Sequence, residues 1–152
     1  MQSCYKVGII YNTIMIKIVI DTNVIVSALR SKRGASFKLL SLIDRGLFTV
    51  NLSVPLFLEY ETVVKREQHR FTLSEQDIDD ILNYIAAVSE KRDIFFLWRP
   101  YLKDPKDDLV LEVAVESASQ FIITHNLRDF AGLEKFGLKA ITPQQLLEQL
   151  GV

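Results

Sequence analysis

The sequence predicts an α/β domain built on a mostly parallel sheet with helices on both faces. Three observations predict it. Short β-branched or aromatic runs alternate with helically spaced apolar residues from residue 16 onward. Parallel neighbours need crossover connections, which helices supply, so this alternation implies a sheet covered on both sides. Polar and acidic residues stand where two of the runs end, in Ile20-Asp21-Thr22-Asn23 and Ile123-Thr124-His125-Asn126, and ligands in open α/β sheets sit at the carboxyl ends of strands. With 152 residues and 49% hydrophobic composition, the chain has enough for one domain with a real core and is short for two. It contains no internal repeat, low-complexity segment or interdomain linker.

The elements follow in order. Ile16-Lys17-Ile18-Val19-Ile20 is a β-branched strand. Residues 24–29 have helical apolar spacing, broken by the basic loop Arg30-Ser31-Lys32-Arg33-Gly34, and residues 35–45 form a second amphipathic helix closed by Gly46. Residues 48–52 are a strand. Ser53 and Pro55 open a helix with Leu56, Phe57, Tyr60, Val63 and Val64 on one face, ending in the charged run of residues 65–70. Ser74 and Asp77 start another, whose stripe is Ile78, Ile81, Leu82, Ile85 and Val88. Residues 94–98 read as a strand, residues 99–106 as a loop, 109–119 as a helix, 121–124 as a strand, 126–133 as a loop or short helix and 138–141 as a last strand. Thr142-Pro143-Gln144-Gln145 is a complete helix start, with N-cap Thr, N1 Pro and N3 Gln.

Composition narrows the chemistry. Eighteen basic against 19 acidic residues, net −1, give no overall polycation, so any case for nucleic acid must be local. The lone Cys4 forms no internal disulfide and, with only His69 and His125, assembles no Cys/His zinc cluster, which points to a reduced, cytoplasmic protein. The apolar patch at residues 7–11 is shorter than a signal-peptide core or a membrane span, so no membrane association is expected. Met15 directly precedes the first strand, and residues 1–14 are expected to be a dispensable extension, with residues 15–152 the single domain. The alternative is an additional edge strand or a partner-binding arm.

The acids carry the functional signal. Asp21, after a strand and before a helix, either caps the helix or projects into a site. Asp104, Asp107 and Asp108 precede a helix, where carboxylates are favoured by its positive N-terminus. Helical spacing separates two of them: Asp107 shares its row with Leu111, Ala114 and Ala118 and is expected to face inward, whereas Asp108 aligns with Glu112 and Glu116 and is expected to face outward. A carboxylate in a buried row is costly unless it is paired or binds metal. Glu59 and Glu61 fall on opposite edges of their helix's apolar face, so at most one looks into a shared site, and the pattern does not choose. Asp129 and Thr124 follow the strand at residues 121–124, as site residues or as an Asx turn and a strand-end hydroxyl.

Taken together, Ile18-Val19-Ile20-Asp21-Thr22-Asn23, Leu58-Glu59-Tyr60, Asp104-Pro105-Lys106-Asp107-Asp108 and Ile123-Thr124-His125-Asn126-Leu127-Arg128-Asp129-Phe130 resemble the PIN domain, specifically the bacterial toxins of VapBC-type toxin–antitoxin modules. The resemblance spans nearly everything from Met15 to Leu150. It implies a three-layer α/β/α sandwich whose acids bind Mg2+ or Mn2+ for RNA cleavage, and a cognate antitoxin. By position, Asp21, Glu59 and Asp107 match the first three acids and Asp129 is the candidate for the fourth. Asn126 stands where many relatives carry an acid, and Asn23 and Thr124 match supporting polar positions.

Such a ligand set suits hard cations, which prefer oxygen donors. The implied reaction is hydrolysis to a 5′-phosphate and a 3′-hydroxyl without a covalent intermediate. Arg30, Lys32 and Arg33 are candidates to contact phosphates, unless they are only a solvated loop. The expected partner is RNA, single-stranded or structured, with single-stranded RNA favoured because a phosphate must reach a recessed site and unstacked bases can meet aromatic side chains. The apolar helices at residues 24–45 and 74–90 offer surface for a homodimer or an antitoxin segment. Asn126 motivates the rival expectation, a PIN-like RNA- or protein-binding module with weak catalysis. A phosphatase using Asp21 as nucleophile ranks lower, since residue 23 is not a second aspartate and no P-loop pattern exists.

Overall fold

A computed structural model describes residues 15–97 and 99–152. The expectations for residues 1–14 lie outside the described residues. Five strands, β1 (Ile16–Ile20), β2 (Phe48–Leu52), β3 (Glu90–Lys91), β4 (Phe121–Ile123) and β5 (Lys139–Ile141), form one parallel sheet in the order β3-β2-β1-β4-β5. Ile18 pairs with Val50 on one side and with Phe121 on the other. In the central strand Ile18, Val19 and Ile20 are all fully buried, as a parallel strand covered on both faces requires.

Among the described residues six helices surround the sheet: α1 (Thr22–Arg30), α2 (Ala35–Ser41), α3 (Val54–Arg66), α4 (Glu75–Val88), α5 (Pro105–Glu116) and α6 (Pro143–Leu150). The steps from β1 to β2 to β3 run in one direction and the step from β3 to β4 runs back. Right-handed crossovers therefore put α1 to α4 on one face and α5 on the other. α6 packs on α2 and joins the first layer, while α5 lies against β1, β2 and β4. The result is the expected three-layer α/β/α sandwich. Side-chain caps start five of the helices, from Asp21, Ser53, Ser74, Asp104 and Thr142, with full capping boxes at Ser74 and Thr142. No helix among the described residues is long and apolar enough to cross a membrane.

The two-residue β3 has no counterpart in the sequence reading, and four further departures stand out. α2 ends at Ser41, because Leu42, Ile43 and Arg45 each donate to the carbonyl three residues back, and these tighter turns carry Ile43 into the core. The strand expected at residues 94–98 does not form across residues 94–97. Pairing with β2 ends where β2 ends: Arg92 N–H reaches Leu52 O at 2.8 Å, and Ser53 already caps α3. Among the described residues no strand neighbours residues 93–97, and Phe95, Phe96 and Leu97 are 75%, 71% and 66% exposed. α5 begins at Pro105, four residues earlier than its apolar spacing suggests, because Asp104 caps it.

The fourth departure corrects the expected orientation of Asp108. Asp108 is 0% exposed and Glu112 2% exposed, so the charged row of α5 faces protein and not water. The chain before α5 folds back over that row. Tyr101 N–H and Leu102 N–H donate to Asp108 Oδ2 and Oδ1 at 3.4 and 2.9 Å, and Arg99 grips Glu112 bidentately at 3.0 and 2.9 Å. This row of α5 is covered by protein, and its two charges are compensated by hydrogen bonds.

Candidate active site

The strand order reverses between β1 and β4, so a crevice opens at their carboxyl ends. Asp21 stands there with φ −70° and ψ 148°. It caps α1, accepting from Thr22 N–H at 2.8 Å, and it also faces the crevice, so both readings of this residue hold at once. Its own N–H donates to Ile123 O at 2.9 Å, fastening β1 to β4. Behind it, the buried Tyr60 hydroxyl donates to Ile20 O.

Thr124 closes the seam. Its hydroxyl accepts from Asn126 N–H at 3.0 Å and from Asn23 Nδ2 at 3.3 Å, which leaves its single proton for Asp21 Oδ2 at 2.8 Å. Asn23 Oδ1 in turn accepts from His125 N–H at 3.2 Å. Asn23 and Thr124 therefore hold Asp21 and the turn after β4 in fixed relation. His125 is tied on another side by Ser36, at 2.8 Å from its Nε2, and burial together with the nearby Arg30 lowers its pKa.

A cleft of about 620 Å³ opens beside this seam. Asp21, Glu59, Asp107 and Asp129 all line it, together with Asn23 and Asn126, although they come from the junction of β1 and α1, from α3, from α5 and from the turn after β4. Glu59 is the member of the Glu59 and Glu61 pair that enters the site, where Lys106 Nζ lies 3.6 Å from its Oε1; Glu61 turns to Lys65 at 3.6 Å. Asp129 sits in a short 3-10 turn, Leu127–Phe130, its N–H bonded to Asn126 O at 3.1 Å. Of the three loop cations, only Arg30 lines this cleft; Lys32 and Arg33 line separate hollows.

Among the lining residues that the sequence does not single out as site residues are the charged or titratable Asp104, Lys106, His125, Arg66 and Glu67. Arg66 was within reach of a periodicity argument, since Glu59, Val63 and Arg66 follow one helical face. Asp104 and Lys106 depend on where α5 starts, and His125 depends on the fold of the turn after β4.

Electrostatically the site is strained by its own charge. Asp107 is half-buried, and burial followed by the fields of Asp21, Asp104, Asp129 and Asp108 raises its pKa to about 7. Burial also pushes the Asp21 carboxyl up, and Asp129 and Asp104 add to this, while the hydrogen bonds from Thr124 and Thr22 oppose it. Among the described residues no three Asp, Glu, His or Cys side chains converge into a ready-made metal cage. The donors are nonetheless all oxygen, mutually repelling and open to water. They fit a hard cation bound through few carboxylates with retained waters.

Fold and cleft define a three-layer α/β/α domain with a carboxylate-lined site at the switch point of a parallel sheet. A family model described as the PIN domain matches residues 17–128, and the chain belongs to that family. PIN domains are generally nucleases, and the fold here is nuclease-like. No curated protein matches the chain.

Proposed function

We propose that this protein is an Mg2+- or Mn2+-dependent endoribonuclease acting on single-stranded RNA, and the toxin of a VapBC-type toxin–antitoxin pair. One observation carries the enzymatic reading: carboxylates from four separated chain segments line one cleft, where burial, and after it the charges of the neighbouring aspartates, raises the Asp107 pKa to about 7. Such a cluster is costly without a cation.

Asp21, Glu59 and Asp107 would hold the cation, with Asp129 as a fourth candidate lining the same cleft. When bound, the cation supplies Lewis acidity toward water and phosphodiester oxygens. The protein's own part is orientation. Thr124 fixes one Asp21 oxygen and leaves the other half of the carboxylate toward the cleft and Thr22 N–H. Arg30 and Arg66, on the same cleft, bind backbone phosphates and set the strand across the acids. The toxin role rests on the resemblance of the sequence motifs to VapBC-type toxins, and the apolar hollow lined by Leu29, Phe37, Leu40, Ile81 and Tyr84 suits an antitoxin segment or a second copy.

Calorimetric titration with Mn2+ tests the site. The wild type is expected to bind, and Asp107→Asn to bind at least tenfold more weakly while remaining folded; equal binding by both proteins contradicts the assignment. A second reading is favoured by the neutral Asn126 on the cleft wall: a module that binds RNA without metal and does not cut it. RNA retention in EDTA, with no cleavage when Mn2+ is added, would select that reading.

A further inference from the structure

The acids of the cleft do not stand alone. Lys106 lies in the first turn of α5, where the helix N-terminus is already positive and a cation is disfavoured. Helix stability therefore does not account for it. Its side chain instead reaches across to α3, where Nζ stands 3.6 Å from Glu59 Oε1. Of the ion pairs among the described residues, this is the one whose two members both line the cleft.

The two partners are unequal. The Glu59 side chain is 15% exposed and the Lys106 side chain 56% exposed. The carboxylate is set in the wall of the cleft, whereas the ammonium sits at the end of a flexible stem in water. Lys106 is the partner that can leave.

We propose that Lys106 is a built-in counter-cation that holds Glu59 when no metal is bound and competes with a divalent cation for that carboxylate. This rests on the reading of the cleft as a metal site. A divalent cation that takes Glu59 must displace the ammonium and tolerate its positive charge nearby, so Lys106 lowers the apparent metal affinity. It also keeps Glu59 from repelling the other acids in the metal-free protein. An ion pair exposed on one side contributes modestly, so removing Lys106 should tighten metal binding about three- to fivefold.

The test is Mn2+ titration by calorimetry on the full chain, without RNA, for wild type, Lys106→Gln, Lys106→Arg and Arg66→Gln. Arg66 lines the same cleft but is in no ion pair among the described residues, so it reports the general field of a cleft cation. The expected result is about threefold to fivefold tighter binding by Lys106→Gln, wild-type affinity for Lys106→Arg and a smaller change for Arg66→Gln. Unchanged or weaker binding by Lys106→Gln, or an equal gain in Arg66→Gln, overturns the proposal and leaves the metal site standing. No binding by either wild type or Lys106→Gln overturns both.

Discussion

Thr124 gives its one hydroxyl proton to Asp21, 2.8 Å away, across the seam where β1 and β4 end. Two donors, Asn126 N–H and Asn23 Nδ2, occupy the acceptor side of the same hydroxyl. The position of the first acid and the course of the turn carrying Asn126 and Asp129 are thus set by one buried side chain.

Replacing that hydroxyl with a methyl group should be felt twice. Thr124→Val removes the donor that opposes the rise in the Asp21 pKa, and it leaves two donors short of an acceptor. The expected loss is about 1–3 kcal/mol of stability in urea denaturation. Mn2+ binding should also shift to higher pH, and Thr124→Ser should restore both. A Thr124→Val protein with wild-type stability and pH profile would show the network to be idle.

Asp107 should make the metal-free protein less stable as pH rises. Its folded pKa, about 7, lies above the unfolded value of 3.8, so the folded state binds the proton more tightly. Its contribution is fully present below about pH 4 and is lost as pH climbs to about 7. Because the group is partly solvated, the change should be on the order of 1–2 kcal/mol, well below the full shift. Asp107→Asn should abolish this component and melt higher than wild type at pH 8 in EDTA; a lower melting temperature there contradicts it.

The adjacent carboxylate should behave oppositely. Asp108 is buried and accepts from Tyr101 N–H and Leu102 N–H, so Asp108→Ala should cost about 2–3 kcal/mol whether or not metal is present. Stability within about 0.5 kcal/mol of wild type would remove its role in pinning the chain onto α5.

Glu59 and Glu61 offer an internal control on one helix. Glu59→Gln should weaken Mn2+ binding and RNA cleavage together. Glu61→Gln breaks a surface pair with Lys65 and should change stability by less than about 1 kcal/mol and cleavage not at all. Equal effects on cleavage would mean that α3 presents a different face to the cleft.

Much of this was legible in the sequence. Each β-branched run with a polar end is a strand of the parallel sheet, apart from residues 94–97, and the four acids that the residue pattern and the family resemblance together point to, Asp21, Glu59, Asp107 and Asp129, line one cleft, with Glu59 distinguished from Glu61 by the resemblance alone. What stayed hidden depended on long-range packing. Asp108 and Glu112 looked outward because helical periodicity assumes one buried face, whereas residues 99–102 cover α5 on a second side. Residues 94–97 have strand composition, but β2 ends at Leu52 and offers them no edge. Lys32 and Arg33 were grouped with Arg30 by sequence alone, and the turn after α1 carries them off the cleft.

Cleavage of a mixed single-stranded RNA pool by wild type and Asp21→Asn, each with Mn2+ and with EDTA, bears on the whole reading at once. The account predicts cutting by the wild type only when Mn2+ is present, and none by a folded Asp21→Asn protein under either condition. Cutting in EDTA, or undiminished cutting by Asp21→Asn, would contradict it.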